Sequence, residues 1–136
     1  MNTKKRVLFL CTGNSARSQM AEGLLRSVAG DRFEVFSAGS LPKGLHPATI
    51  ATMNEIGIDV SGHRSKSVEE YYGQHFDYVI TVCDRAKQSC PIFPGSASLH
   101  WSFEDPADAP PEQQGQTFSR VREEIRERIS SFVIAK

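Results

Sequence analysis

Read as a pattern of apolar and polar positions, the chain opens with a charged lead-in, Lys4-Lys5-Arg6, followed by an unbroken apolar run, Val7-Leu8-Phe9-Leu10. A short run of this kind predicts a strand buried on both faces. Met20, Ala21, Leu24, Leu25 and Val28 then recur at helical spacing up to Gly30, so the residues between form a strand-to-helix turn. Phe33-Glu34-Val35-Phe36 predicts a second strand running into Ser37-Ala38-Gly39. His46-Pro47 opens a second helix, with proline suited to its first position, Ile50, Met53 and Ile56 as the expected core face and a stop near Gly57. Ser67 ahead of Glu69 and Glu70 predicts a short helix ending near Gly73. Phe76 to Val82 predicts a third strand, Asp84 to Cys90 two helical turns stopped by Pro91, and Ala97 to Trp101 a fourth strand. The last helix is expected from near Thr117, with Phe118, Val121, Ile125, Ile129 and Phe132 facing the core and the charges of Arg120 to Arg128 facing water.

Strands alternating with helices predict an α/β fold, a parallel sheet covered on both faces with ligands at the carboxyl ends of its strands. Cys11, Cys83 and Asp105 all follow predicted strands, so the architecture draws them to one side although they are far apart in sequence. At 136 residues the chain is expected to be one domain over 1–136.

Sixteen basic and sixteen acidic residues cancel, which predicts no nucleic-acid partner and no anionic membrane surface; any anion site has to be local. The four-residue apolar run is too short for a signal peptide or a span, so a cytoplasmic protein is expected. Three cysteines in a reducing compartment argue against a structural disulfide framework and for catalysis or redox chemistry. Cys83 and Cys90 lack a second pair at metal-ligand spacing and His46, His63, His75 and His100 are scattered, so no metal site is expected.

The chemistry concentrates in Cys11-Thr12-Gly13-Asn14-Ser15-Ala16-Arg17-Ser18. A loop of five residues between Cys11 and Arg17, opening a helix, aims successive backbone N–H groups at one point where the helix dipole also favours negative charge. Thr12, Gly13, Asn14, Ser15 and Ala16 thus form an expected oxyanion cradle, with Gly13 permitting close approach and Asn14 tolerating the left-handed conformations that turn N–H groups inward. Arg17 adds a planar fork for two oxygens of a tetrahedral anion. In that field a cysteine pKa falls to roughly 3.5–7.5. Cys11 is therefore the expected nucleophile, with Ser18 donating a hydrogen bond to its sulfur.

The Cys11 to Ser18 segment resembles the phosphate-binding loop of the low-molecular-weight protein tyrosine phosphatases, and its extension through Gln19-Met20-Ala21-Glu22-Gly23 resembles the arsenate reductases built on that fold. Such a loop holds phosphate and arsenate alike; the next nucleophile decides the outcome. Water attacking phosphorus gives phosphatase turnover, whereas a second thiolate attacking the sulfur of a Cys11–arsenate adduct releases arsenite and leaves a disulfide, which a third thiol can carry outward by exchange. Cys83 and Cys90 offer that arrangement. On an intact helix seven residues rise about 10.5 Å, beyond the roughly 4.4–6.8 Å between Cα atoms that a disulfide needs, so the segment from Asp84 to Pro94 is expected to loop out as a redox switch.

Thr81-Val82-Cys83, Cys90-Pro91 and Trp101-Ser102-Phe103-Glu104-Asp105-Pro106-Ala107 extend the resemblance to the thioredoxin-coupled arsenate reductases over nearly the whole chain. The resemblance implies a three-layer sandwich with a four-stranded parallel sheet and helices on both faces. It implies Cys11 as nucleophile on arsenate, Arg17 and the Thr12 to Arg17 backbone as anchor, Ser18 as thiolate partner and Asp105 as general acid. Cys83 and Cys90 become second and third nucleophiles, with alternating Cys11–Cys83 and Cys83–Cys90 disulfides. It also implies a monomer with no bound cofactor, thioredoxin or a similar redoxin as external thiol reductant, and phosphate or sulfate as analogues of arsenate. Glu104 and Asp108 are rivals to Asp105 as acid. Some relatives bind potassium beside the loop; Asn14, Glu22 and Ser37 match those positions, but Lys66 replaces an aspartate, and its ammonium is expected to pair with Glu22 instead of the ion. The alternatives are a tyrosine phosphatase, which Ala107 disfavours because an aromatic follows Asp-Pro in the resembling phosphatases, and a cysteine-based redox sensor without turnover.

Overall fold

The computed structural model describes residues 4–82, 93 and 96–136. Four parallel strands, β1 (Lys5–Cys11), β2 (Phe33–Gly39), β3 (Tyr78–Thr81) and β4 (Ala97–His100), lie in the order β2-β1-β3-β4. Because β1 has β2 on one side and β3 on the other, the chain reverses its direction of winding beside β1, and a crevice opens at its carboxyl end. Cys11 is the last residue of β1, in register with Gly39 of β2.

Side chains alternate along β1 as the pleat requires. Val7, Phe9 and Cys11 face a core built with Met20, Leu24 and Leu25 of α1 (Arg17–Ala29) and with Phe118, Val121, Ile125 and Ile129 of α3 (Gln114–Ala135). Leu8 and Leu10 face the other way, against Ala38, Val68, Phe76, Val79 and Phe93. On that second face the described cover is a 3-10 helix, Val68–Tyr71, capped by the Ser67 hydroxyl as the sequence predicts. Phe118 and Ile125 are fully buried, so truncating either to alanine costs about 2–5 kcal/mol.

The boundaries differ from expectation in instructive places. β3 is shorter than Phe76 to Val82, although Asp77 still bonds both neighbours through its backbone, its N–H donating to Arg6 O and its C=O accepting from Ala97 N at 2.9 Å each, and β4 ends at His100, one residue before the buried Trp101. α3 starts at Gln114, a turn before Thr117, continuing from a 3-10 turn at Pro111–Gln113. In α2 (Pro47–Asn54) the buried face is Thr49, Thr52 and Met53, while Ile50 and Ile56 are only half-buried. Thr49 turns inward because its hydroxyl donates to the Ser15 carbonyl at 2.7 Å. The expected turns from Asp84 to Cys90, with Cys83 and Cys90, lie outside the described residues. Among the described residues no helix is long and apolar enough to cross a membrane.

Candidate active site

The loop from Cys11 to Arg17 is fastened by its carbonyls. Cys11 O accepts from Ser40 N at 3.2 Å, Thr12 O from Leu41 N at 2.9 Å, Gly13 O from Lys43 N at 2.9 Å, and Ser15 O from His46 N at 3.1 Å. In a trans peptide the C=O and the following N–H point in opposite directions, so outward carbonyls drive the next amides inward. Among the described residues the N–H groups of Gly13, Ser15, Ala16 and Arg17 meet no protein acceptor. α1 begins at Arg17 with no side-chain cap on Ala16, leaving its first amides to whatever occupies the concavity. Asn14 holds the turn with φ +46°, the left-handed conformation expected of it. Gly39 of β2 permits the fit: a Cβ there would stand 2.5 Å from Thr12 O and 2.9 Å from Asn14 N.

The Cys11 sulfur is buried at the floor of this cradle, accepting the Asn14 amide at 3.2 Å and lying 2.9 Å from Ser18 Oγ. The direction of the Ser18 bond follows from its neighbours. Lys66 N is a backbone donor, so the Asn14 atom 2.8 Å from it is the carbonyl oxygen, which also receives Gln19 Nε2 at 3.0 Å. The other end of Asn14 is then the amino group, which donates to Ser18 Oγ at 2.8 Å and Ser37 Oγ at 3.0 Å. Ser18 accepts from Asn14 and directs its own proton to sulfur.

Arg17 stands over the cradle with Nη1 donating to Phe103 O at 3.1 Å and Nη2 3.3 Å from Asp105 Oδ2. Asp105 is held in turn by capping the 3-10 helix Pro106–Asp108, its Oδ1 accepting Ala107 N at 3.0 Å. Glu104 pairs with Arg120 of α3 and does not line the cavity, whereas Asp108 lines it from an exposed position. Cys11, Arg17, Lys43, His46, Phe103 and Asp105 surround a cavity of about 620 Å³.

A cysteine at the end of a first strand, a five-residue loop, an arginine opening the first helix and an aspartate in the loop after the fourth strand thus converge on one oxyanion-sized cradle. The family model for low molecular weight phosphotyrosine protein phosphatases matches residues 6–136. The chain belongs to this family. Its similar relatives include arsenate reductase 2 of Staphylococcus epidermidis, 44% identical over 130 residues that cover 95% of this chain and 96% of the relative. The arsenate reductase of Halalkalibacterium halodurans is 44% identical over 132 residues, 95% of each chain. Among solved structures, an arsenate reductase in the phosphate binding state superposes with TM-score 0.78 at 33% identity, over 96% of this chain and 98% of that one. A thioredoxin-dependent arsenate reductase of Corynebacterium glutamicum gives 0.74 at 32%, over 98% and 64%. A low molecular weight protein tyrosine phosphatase from T. tengcongensis gives 0.78 at 27%, over 98% and 100%.

Behind the phosphatase-family loop lies a charged cluster in which Glu22 and Lys66 are buried and Arg26 reaches solvent. Glu22 Oε2 is 2.6 Å from Arg26, and its Oε1 receives the Ser37 hydroxyl and lies 3.9 Å from Lys66 Nζ. Lys66 Nζ also donates to Arg64 O at 2.7 Å. Burial pushes the Lys66 pKa below its usual value, and Glu22 opposes that shift. One carboxylate shared by two cationic side chains does not fit a further metal ion, and the expected pairing of the Lys66 ammonium with Glu22 is seen at 3.9 Å. His63 adjoins the cluster, its Nδ1 3.0 Å from Gln19 Oε1 and its Nε2 3.3 Å from Arg26; burial holds its pKa below 6.5.

Gly39, Thr49 and Gln19 are site residues that the sequence reading did not single out. Gln19 is fully buried, and its amide nitrogen donates to Asn14 O, Asn14 Oδ1 and Arg64 O. Its place in the Gln19 to Gly23 extension of the loop was a signal for the family but not for this role, since a glutamine at a helix start otherwise reads as solvated.

Proposed function

We infer that this chain is an arsenate reductase, residues 1–136 working as one cytoplasmic domain. The observation that carries the reading is the buried Cys11 sulfur beneath an uncapped ring of amides closed by Arg17 and Asp105. The names of the relatives favour arsenate as the anion, with phosphate or sulfate able to occupy the same cradle.

Arsenate binds to the amides from Thr12 to Arg17 and to the Arg17 guanidinium, which exchanges Asp105 for the anion. The Cys11 thiolate, stabilised by Asn14 N–H and the Ser18 hydroxyl, attacks arsenic. An oxygen leaves as water, taking its proton from Asp105, which lines the same cavity. The Cys83 thiolate then attacks Cys11 Sγ; the S–As bond breaks, its electron pair goes to arsenic, and arsenite departs as Cys11–Cys83 forms. Cys90 attacks Cys83 to give Cys83–Cys90 and returns Cys11 to thiolate. An external dithiol of the thioredoxin class takes up that disulfide. The roles of Cys83 and Cys90 rest on the sequence pattern. Weak hydrolysis of small aryl phosphates is the expected side activity of the same cradle, limited by Ala107 at the cavity where an aromatic would stack.

Arsenate-dependent oxidation of NADPH in the presence of thioredoxin and its reductase tests the reading. Turnover in the wild type, lost in Cys83→Ser with aryl phosphate hydrolysis kept, supports it; hydrolysis without any arsenate-dependent oxidation assigns the chain to the phosphatases.

A further inference from the structure

Lys43 stands at the rim of the cradle, and no step above uses it. Its backbone N–H is tied to Gly13 O at 2.9 Å, so its Cα is fixed against the anion loop. Its aliphatic stem runs over Gly13: a Cβ on that glycine would stand 3.3 Å from Lys43 Cδ and 3.5 Å from Cγ. The absence of a side chain at residue 13 therefore makes a bed for the lysine stem, which brings the ammonium to the mouth of the cavity that Cys11 floors. Gly44, at φ +91°, turns the chain away immediately afterwards.

Apart from Lys43, the charged side chains around this mouth sum to a net negative charge, which the loop amides and the helix dipole have to outweigh. Arg17 is matched by Asp105 at 3.3 Å, Asp108 adds a second carboxylate to the lining, and an ionised Cys11 adds a third negative charge. Among the described residues no carboxylate lies within ion-pair distance of Lys43, which is thus the one lining cation whose charge is uncompensated. The chain as a whole carries no net charge to attract an anion from a distance.

We propose that Lys43 is the specificity-determining cation of this site, selecting doubly charged tetrahedral oxyanions by drawing them past the Asp105 and Asp108 carboxylates. The role deepens the arsenate reductase reading, on which it rests for its physiological substrate, but it is a property of the cavity mouth that any anionic reagent reports. A unit charge at such a rim favours a monoanion by about threefold at low salt, and a dianion by about the square of that, roughly tenfold, because Coulomb energy is linear in the approaching charge.

The test is alkylation of Cys11, followed on its own peptide by mass spectrometry, with iodoacetate as anionic and iodoacetamide as neutral reagent. Lys43→Gln is expected to slow iodoacetate about threefold at low salt, to leave iodoacetamide unchanged and to weaken protection by inorganic phosphate about tenfold. Lys43→Arg should restore all three, Lys4→Gln just before the far end of β1 should change none, and the differences should fade as salt is added. Unchanged iodoacetate rates and phosphate protection in Lys43→Gln overturn the proposal. So do equal losses with both reagents, which would place Lys43 in loop folding or thiol reactivity. If these effects hold while the wild type fails to reduce arsenate, the reductase reading falls and the rim assignment stands.

Discussion

Ser18 Oγ lies 2.9 Å from the Cys11 sulfur and accepts the Asn14 amino group at 2.8 Å, so among the described residues its proton is directed to the sulfur. A hydrogen bond to a charged acceptor contributes about 1.5–3 kcal/mol, and it acts on the thiolate alone. Ser18→Ala should therefore move the alkylation midpoint of Cys11 upward by about one to two pH units in its pH–rate profile with iodoacetamide. An unchanged pH profile would mean that Asn14 and the helix dipole suffice.

Asp105 is poised between two partners, Arg17 and the Ala107 amide, and its position rather than its sequence neighbourhood separates it from Glu104, which is committed to Arg120. Replacement by asparagine keeps the cap but removes the transferable proton. Asp105→Asn should bind phosphate more tightly than the wild type, because Arg17 loses its competing carboxylate, and should lose about 10²–10⁴ in the rate of the first chemical step, read by single-turnover formation of the arsenylated or oxidised Cys11. Loss in binding without loss in that rate would make Asp105 only a support for Arg17.

The Glu22, Arg26 and Lys66 cluster carries its own cation. Activity and melting temperature should be the same in potassium and in sodium chloride at equal ionic strength, and K66D should create a potassium response by leaving a carboxylate where the ammonium lay. A selective potassium activation of the wild type, measured as initial rate, contradicts the assignment.

His63 supplies the pH dependence. Burial lowers its folded pKa below the ordinary 6.5, so the unfolded chain takes up the proton first. The sign follows: its contribution to stability is full above about pH 6.5 and is lost as pH falls from there toward the folded value. Thermal unfolding between pH 7.5 and 5.5 should show a decline that His63→Gln reduces, with the same slope in both proteins counting against it.

What could be read from the residues was whatever is local or periodic. The stripe from Phe118 to Phe132 and the alternation along β1 each repeat with the period of their element, and the Cys11 to Ser18 cradle is contiguous. Gly39, Thr49 and Gln19 were not legible because each owes its role to a partner brought up by the fold. Gly39 meets Thr12 O across two strands, Thr49 reaches Ser15 from α2, and Gln19 joins His63 from 44 positions away. The same cause widened the inward face of the second helix: Met53 is buried and Ile50 and Ile56 pack against the core as periodicity predicts, while the carbonyl of Ser15 also holds Thr49 inward.

The proposed relay of three sulfurs is tested most directly by disulfide mapping after a single addition of arsenate. One equivalent of arsenate, added to fully reduced protein without any other reductant, should yield one arsenite per chain, a Cys83–Cys90 disulfide and a free Cys11 thiol. Three free thiols with arsenate recovered unchanged would contradict it.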